Sequence, residues 1–479
     1  MKMKRVNWFI YLFVVLFNIF NAGVARDLDR QVAGYLSHFT QFDRQVKSVG
    51  DRLAEPHSDN VSLKFSTSSQ MLAKPPMDSP YNFPLLPGKD VVIRFSAHQT
   101  NFDFVVPPLQ KKFPAEIEQA LSKSPAWLRN DLTCVFNALN EKSALRWARL
   151  IIETEDPYVD EVAFSISHMS VEYLQSSYAT EELFTLNARL IYQYDQDLQY
   201  VQLVDYGKAG DEDYYTTARY RYVHYFDTLE IEIPKEIYYY YVVHPQLSDE
   251  VPAFIDPSIS EDNYSHKNNI VSPDAGFFWR DFLYNHPDMG YADLKKMLKD
   301  ARTVITKRYH FEVNGNIDAI GILSRWLDRS MNFTSDEERP HQPVRIYRKH
   351  QGRCGEYSDM RLAIGRIALI PTVAVASIST DHVWNEFYLQ QWVHWDDTID
   401  KPDQYEKGWG KKFGSVFQMR GDGFFTSVTD RYYSKISRIT VHVSDSTGLP
   451  LDGAQVILYT KGLYSDLSFD NYGVTNSEG

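Results

Sequence analysis

The segment that decides the fold reads QGRCGEYSDMRLAIGRI, residues 351–367. Its apolar residues recur every three or four positions, a spacing that predicts an α-helix beginning at or just before Cys354. The first N–H groups of a helix and its macrodipole favour a negative charge. A cysteine in that position is therefore expected to have a larger fraction of its nucleophilic thiolate form. Gly352 and Gly355 are small enough to let a substrate backbone approach the sulfur.

Two further segments, TDHVWNEFYL (380–389) and QWVHWDDTID (391–400), read as consecutive strands. Alternation along the first strand places His382 and Trp384 on one face, together with Glu386, which is expected to line the cleft. A thiolate nucleophile needs a base, and the base needs an orienting carboxylate. His382 and an aspartate of the second strand supply both, so the sequence predicts a Cys–His–Asp site.

Strand pairing leaves two aspartates open as the third member of this site. A two-residue turn at Gln390-Gln391 would pair Asn385 with Asp396, place Asp396 on the face away from His382, and make Asp397 the candidate. An odd loop would instead pair Trp384 with Asp396. Asp396 would then lie diagonal to His382 on a shared face.

The segments GRCGEYS, IPTVAVAS and DHVWNEFY…WVHWDD resemble the transglutaminase-like superfamily of papain-type cysteine enzymes. They look most similar to its peptide N-glycanase branch, which shares Gly-Arg-Cys-Gly-Glu and Asp-His-Val-Trp. The resemblance covers roughly residues 320–400. It implies an α+β fold in which the Cys-bearing helix packs on an antiparallel sheet carrying the histidine and the aspartate.

The same resemblance implies roles for single residues: Cys354 as nucleophile, His382 as base and Asp396 as orienting acid. Asp396 in turn implies the odd loop between the strands. Because the superfamily uses a Trp or Gln upstream of the nucleophile, Trp326 is a candidate oxyanion donor. The alternative for Trp326 is a core residue of an amphipathic helix.

The chain also departs from the peptide N-glycanase pattern. Eukaryotic members are cytosolic and carry zinc-binding cysteine pairs before the nucleophile, whereas this chain has only two cysteines. The usual Asp-Pro is Asp396-Asp397 here, and the Gly before Ile-Pro is Leu369. These departures leave the substrate undecided.

Export is predicted from residues 1–25, MKMKRVNWFIYLFVVLFNIFNAGVA, where a basic start precedes an apolar run and small residues. This order is typical of a cleaved signal peptide, and no later stretch is apolar enough to span a membrane. The mature chain is expected to be secreted, to the periplasm, the cell surface or the medium. Cys134, in an apolar helical segment, is expected to be buried; a Cys134–Cys354 disulfide is the alternative.

Beyond the site, the chain divides into three predicted regions. Residues 26–270 form an N-terminal mixed α/β region, separate from the catalytic core, with helices at 128–153 and 160–195 and strands at 212–245. Residues 271–435 form the catalytic domain. Residues 436–479 resemble the start of a carboxypeptidase-regulatory-like β-sandwich, truncated by the end of the sequence, with turns at Thr447-Gly448 and Asp452-Gly453.

Within 212–245, the four tyrosines 238–241 read as a strand packed on both faces. A sugar-stacking surface is the alternative for these tyrosines. The loop 246–273, rich in Pro, Ser and Asp, is expected to be open to proteolysis.

The net charge of −13 and the absence of a basic cluster exclude nucleic acid as an expected partner. No ligand spacing for a metal and no cofactor motif is visible, and a calcium requirement, which some family members have, stays open. The favoured activity is hydrolysis of an amide in a protein, peptide or glycopeptide through a Cys354 thioester. Protein cross-linking and peptide N-glycanase-like deglycosylation are the alternatives within the family. A non-catalytic binding or structural module and a glycan-binding surface protein are the alternatives of another class.

Overall fold

The computed structural model describes residues 113–261, 270–307, 317–396, 414–433, 439–460, 468–476 and 478–479, and the backbone of three short strands before them. Most of the predicted signal peptide lies outside the described residues. Among the residues that the structure describes, no helix combines the length and the apolar character that a membrane crossing requires.

The strands are β1 (Leu12–Phe13), β2 (Val92–Ser96), β3 (Asn101–Val105), β4 (Val201–Tyr206), β5 (Tyr215–His224), β6 (Asp227–Glu232), β7 (Phe254–Ile255), β8 (Ile270–Val271), β9 (Thr306–Lys307), β10 (Asn332–Phe333), β11 (Gln351–Gly352), β12 (Thr372–Ser377), β13 (His382–Leu389), β14 (Gln391–Trp395), β15 (Phe417–Met419), β16 (Phe425–Ser427), β17 (Gln455–Thr460) and β18 (Ser468–Val474).

The helices are α1 (Ala115–Lys123), α2 (Arg129–Ala138), α3 (Glu141–Glu153), α4 (Val159–His168), α5 (Val171–Leu174), α6 (Glu181–Asp197), α7 (Lys235–Tyr238), α8 (Trp279–Asn285), α9 (Leu294–Leu298), α10 (Ala319–Ser330), α11 (Pro343–Lys349), α12 (Cys354–Ile367) and α13 (Thr429–Tyr432). The described residues also contain two 3₁₀ turns, Ala126–Leu128 and Ile378–Thr380, and a π-helical segment, Tyr239–Val243.

Helix α12 and one antiparallel sheet form the centre of the fold. The sheet runs in the order β14-β13-β12-β15-β16, and α12 packs across β12 and β13. Every α12 residue from Glu356 to Ile367 is buried. The close approach depends on Gly365, because a Cβ there would lie 2.1 Å from Thr372 Oγ1 on β12. The predicted α+β fold, a Cys-bearing helix on an antiparallel sheet, is confirmed.

The N-terminal region is not separate from this core, contrary to the sequence-based expectation. One apolar cluster runs from Ile117 to Trp395. Arg366, fully buried on α12, donates 2.8 Å hydrogen bonds to the carbonyls of His244 and Gln246. Much of the stretch 246–255 is buried as well, so this part of the loop predicted to be open to proteolysis is instead anchored on α12, whereas residues 258–260 are exposed.

Two local expectations in this region are wrong. The tyrosines 238–241 are helical, and three of them are fully or almost fully buried, so they form neither a strand nor a sugar-stacking surface. The strands end at Glu232, and Pro234 is the N-cap residue of α7. Cys134 is exposed and is not part of a disulfide, because α2 turns Leu132, Val135 and Phe136 to the core and Cys134 away from it.

The C-terminal segment forms a hairpin of β17 and β18. Gly448 and Gly453 adopt φ of 85° and 76°, the left-handed conformation that glycine tolerates, so both predicted turns are confirmed. The described residues show this hairpin and its pairing with β1. The resemblance to a carboxypeptidase-regulatory-like sandwich stays a prediction.

Two adjacent buried carboxyl groups on α4 make the stability of this region depend on pH. Burial raises the pKa of both Asp160 and Glu161. The polar groups facing them are hydroxyls and one further carboxylate: Tyr192, Tyr238, Tyr239, Thr216 and Asp205. Because folding raises these pKa values, the associated stability is complete below about pH 4 and is lost as pH rises through the folded values.

Glu161→Gln removes one of these two groups, so its urea midpoint is expected to fall less than that of the wild type as pH rises above about pH 5. Glu153→Gln, on the exposed end of α3, is the matched control and should follow the wild type. An unchanged slope in Glu161→Gln would contradict this interpretation of the carboxyl pair.

Candidate active site

Cys354 is the first residue of α12, as predicted, and is half-buried. The helix start is fixed by Glu356, whose carboxylate accepts from the Arg353 backbone N–H at 2.9 Å and pairs with the Arg339 guanidinium. Burial favours protonation of Glu356, but the hydrogen bonds from Arg339 outweigh it and keep the pKa of this carboxyl below its usual value. Glu356 therefore stabilises the N-terminus of α12, where the Cys354 thiol lies.

His382 reaches both predicted partners. Its Nε2 lies 3.3 Å from Asp396 Oδ2, and Cys354 lies beside the ring in the same cleft. Since Asp396 takes Nε2, Nδ1 is the ring nitrogen available to the thiol. Burial works against the imidazolium, but Asp396 and the neighbouring Cys354 outweigh it and raise the pKa of His382. The imidazole stacks on buried Trp384 at 5.3 Å between ring centroids, which fixes its plane.

The register of β13 and β14 decides the position of Asp396. Leu389 pairs with Gln391, and Gln390 alone turns the chain with φ of 64°. Asn385 consequently pairs with Trp395, so Asp396 follows directly and falls on the face of His382. The odd loop expected from the resemblance is confirmed, whereas Asp397 lies outside the described residues.

Arg361 is a site residue that sequence reasoning missed. It lies on α12, two turns from Cys354, and is 4% exposed. Its Nη1 donates to Asp396 Oδ1 at 2.9 Å, while the other carboxylate oxygen faces His382. The Arg361 guanidinium therefore fixes the Asp396 carboxylate through the oxygen that does not face His382. The available signal for Arg361 was its charge, since it is a charged residue within a helix that is buried along its length.

Breaking this buried ion pair from one side is expected to destabilise the protein. Arg361→Met should cost about 3 kcal/mol of unfolding free energy, because it leaves a buried carboxylate without its guanidinium. The double variant Arg361→Met/Asp396→Asn should lose about 2 kcal/mol less than the two single variants together. Urea denaturation measures this. The exposed pair Arg149–Glu116 is the matched control, and simple additivity at Arg361–Asp396 would contradict the coupling.

Trp326 does not reach the site. It is 1% exposed, stacks on Tyr347, and its indole N–H donates to the Ala292 carbonyl at 2.8 Å. The amphipathic stripe of α10 turns this side chain into the core. The expectation of an oxyanion donor at Trp326 is therefore corrected, and the alternative of a core residue describes it.

Glu386 is also displaced from its expected place in the cleft. It is buried against α13, where Tyr432 donates to it at 2.7 Å and Arg431 lies 3.0 Å away.

The cleft at Cys354 has a volume of about 520 Å³. One wall comes from residues distant in sequence: Ser248, Asp249, Arg339 and His341. The opposite wall comes from the turn between β15 and β16: Met419, Arg420, Gly423, Phe424 and Phe425. No sequence pattern connects these segments, so the sequence alone did not predict them as part of the site.

The first wall carries a histidine, His341, that is protonated at neutral pH. His341 Nδ1 lies 2.9 Å from Asp249 Oδ1. Burial opposes the charge, but Asp249 and neighbouring carboxylates raise the pKa of His341 to about 10. His341 is consequently an imidazolium at neutral pH and is unsuited to act as a base. Within the described part of the chain, no three His, Cys, Asp or Glu side chains converge to hold a metal ion.

Comparison with known proteins places this geometry in a class. Residues 307–397 match the model of the Transglutaminase-like superfamily, and the α+β fold described above is consistent with it. The chain thus contains a transglutaminase-like core.

The similar curated proteins are named Peptide-N(4)-(N-acetyl-beta-glucosaminyl)asparagine amidase. The one from Debaryomyces hansenii is 29% identical over 128 residues, which is 25% of this chain and 34% of that protein. Those of Arabidopsis thaliana and Homo sapiens are 35% and 36% identical over 118 and 109 residues, in each case 22% of this chain and 16% of the relative. The chain spans about a third or less of the length of these relatives.

Proposed function

We propose that this chain is a cysteine-dependent amidase that hydrolyses the amide between a glycan and an asparagine side chain. The observation that carries the proposal is the contact of Cys354 with His382 at the helix terminus, with Asp396 behind the imidazole. This arrangement suits attack of a thiolate on an amide carbonyl. The glycosylated asparagine is taken from the names of the similar proteins.

In the proposed reaction, Cys354 Sγ forms a bond to the side-chain carbonyl carbon, and the C–N bond breaks. The His382 imidazolium donates its proton to the departing glycosylamine nitrogen. Water then attacks the thioester, giving an aspartate and restoring the thiol. The overall change is amide plus water to acid plus amine. With Trp326 excluded, the first backbone N–H groups of α12, beginning with that of Cys354, are the donors best placed for the oxyanion.

Incubation with an N-glycosylated peptide in heavy-oxygen water tests the proposal. The expected products are a free glycosylamine and a peptide whose asparagine has become a labelled aspartate. Incorporation of an added primary amine into the peptide would instead indicate cross-linking. An intact glycopeptide together with cleavage of an ordinary peptide bond would indicate a peptidase.

Secretion belongs to the same proposal and rests on residues 1–25 alone. It distinguishes this chain from the cytosolic eukaryotic peptide N-glycanases that its motifs resemble.

A further inference from the structure

We propose that Asp470, in the C-terminal hairpin, is a positioning residue for His382, so that the hairpin contributes to catalysis. The inference rests on the proposed function, and Asp470 lies outside the matched range 307–397.

The Asp470 carboxylate joins the hairpin to two segments of the core. It is 7% exposed, and its Oδ1 accepts from Ser379 Oγ at 3.0 Å and from the Ser415 backbone N–H at 2.8 Å. Oδ2 accepts from Ser415 Oγ at 2.9 Å. One buried carboxylate therefore ties β18 to the turn before β13 and to the entry of β15.

Gly414 shows how closely the three segments approach. A Cβ at this position would lie 1.8 Å from Asp470 Oδ1 and 2.3 Å from Ser379 Oγ. No other residue type fits there without moving the carboxylate or the turn. The contact between Asp470 and Ser379 is therefore part of the close packing of the three segments and is not a surface contact.

The turn that Asp470 contacts leads directly to His382. Ser379 is the middle residue of the 3₁₀ turn Ile378–Thr380, and Asp381 follows with a left-handed φ of 49°. His382 comes next and pairs with Ser377 as the first residue of β13. A left-handed non-glycine residue costs about 1 kcal/mol or more, so the surrounding contacts must hold it.

Loss of the Asp470 contact should let this turn relax and move the His382 ring away from Cys354. Displacement by about 1 Å at a catalytic group can cost a hundredfold in rate. The effect should appear in the reactivity of the thiol itself, because His382 must accept the proton of Cys354.

Alkylation by iodoacetamide at about pH 6 tests the inference without a substrate. The Cys354 sulfur forms a bond to the reagent's methylene carbon, iodide leaves, and the thiol proton passes to His382. Asp470→Ala and Ser379→Ala should each slow labelling of Cys354 about tenfold. Asp470→Asn should stay close to the wild type, because its amide oxygen keeps the Oδ1 contacts and Ser415 Oγ can accept from its N–H.

Asp445→Ala is the matched control, since Asp445 lies in the same C-terminal segment but caps its own turn at Thr447 and Leu449. A merely structural role for Asp470 would lower the melting temperature and leave the labelling rate of the folded protein unchanged. If Asp470→Ala does not fold, Ser379→Ala decides, because it keeps both Ser415 contacts.

Wild-type labelling rates in both Asp470→Ala and Ser379→Ala would overturn the inference. The proposed function fails differently: Cys354 of the wild type would then label slowly, with or without His382.

Discussion

Cys354→Ala and Cys354→Ser are expected to reduce glycopeptide hydrolysis by about 10⁴-fold or more while preserving the fold. The alanine removes the nucleophile. The serine hydroxyl is a far weaker acid than a thiol, so the same helix terminus and the same histidine do not ionise it. Initial rates on an N-glycosylated peptide measure the effect, and circular dichroism verifies the fold.

Cys134→Ser is the matched control for this prediction. Cys134 is exposed on α2 and does not line the cleft, so its replacement should leave the rate unchanged. Substantial hydrolysis by Cys354→Ser would contradict the assignment of the nucleophile.

Asp396→Asn is expected to lower kcat by roughly a hundredfold or more with little change in KM, because the imidazole loses its orienting carboxylate. The pH profile should change in a defined direction. The hydrogen bond to Asp396 helps to raise the pKa of His382. Without the carboxylate, the imidazolium loses its proton at lower pH, so the alkaline limb should move to lower pH. His382→Ala should abolish both hydrolysis and the rapid alkylation of Cys354.

The two limbs of that profile belong to the thiol–imidazole pair and to neither residue alone. An alkaline limb that stays in place in Asp396→Asn, or moves to higher pH, would contradict the proposed role of Asp396. The comparison should use the kcat profile, since the profile of kcat/KM also reflects groups of the free substrate.

The centre of the site was predictable from the sequence because its signals are local. The apolar residues at helical spacing after Cys354 predicted where α12 begins. The alternation of residues along β13 predicted the face of the strand on which His382 lies. The register required more, because pairing alone allowed both Asp396 and Asp397. The resemblance to a known family supplied the odd loop that the structure shows at Gln390.

The remaining parts depended on contacts between distant segments, which no short pattern encodes. The tyrosines 238–241 have strand propensity, but a helix begins after Pro234 and continues into the π-helical segment Tyr239–Val243, which packs against α4. Trp326 had two possible roles, and the Ala292 carbonyl determines which one it takes. Asp249 and His341 meet across 92 positions of sequence, and Asp470 meets Ser379 across 91.

The central claim is that catalysis proceeds through a thioester on Cys354, and mass spectrometry of the enzyme quenched in acid during turnover of an N-glycosylated peptide tests it most directly. The claim predicts an adduct of the deglycosylated peptide on the fragment that carries Cys354, which hydroxylamine removes and which Cys354→Ala lacks. Glycan release that continues at the normal rate after Cys354 has been fully alkylated would contradict it.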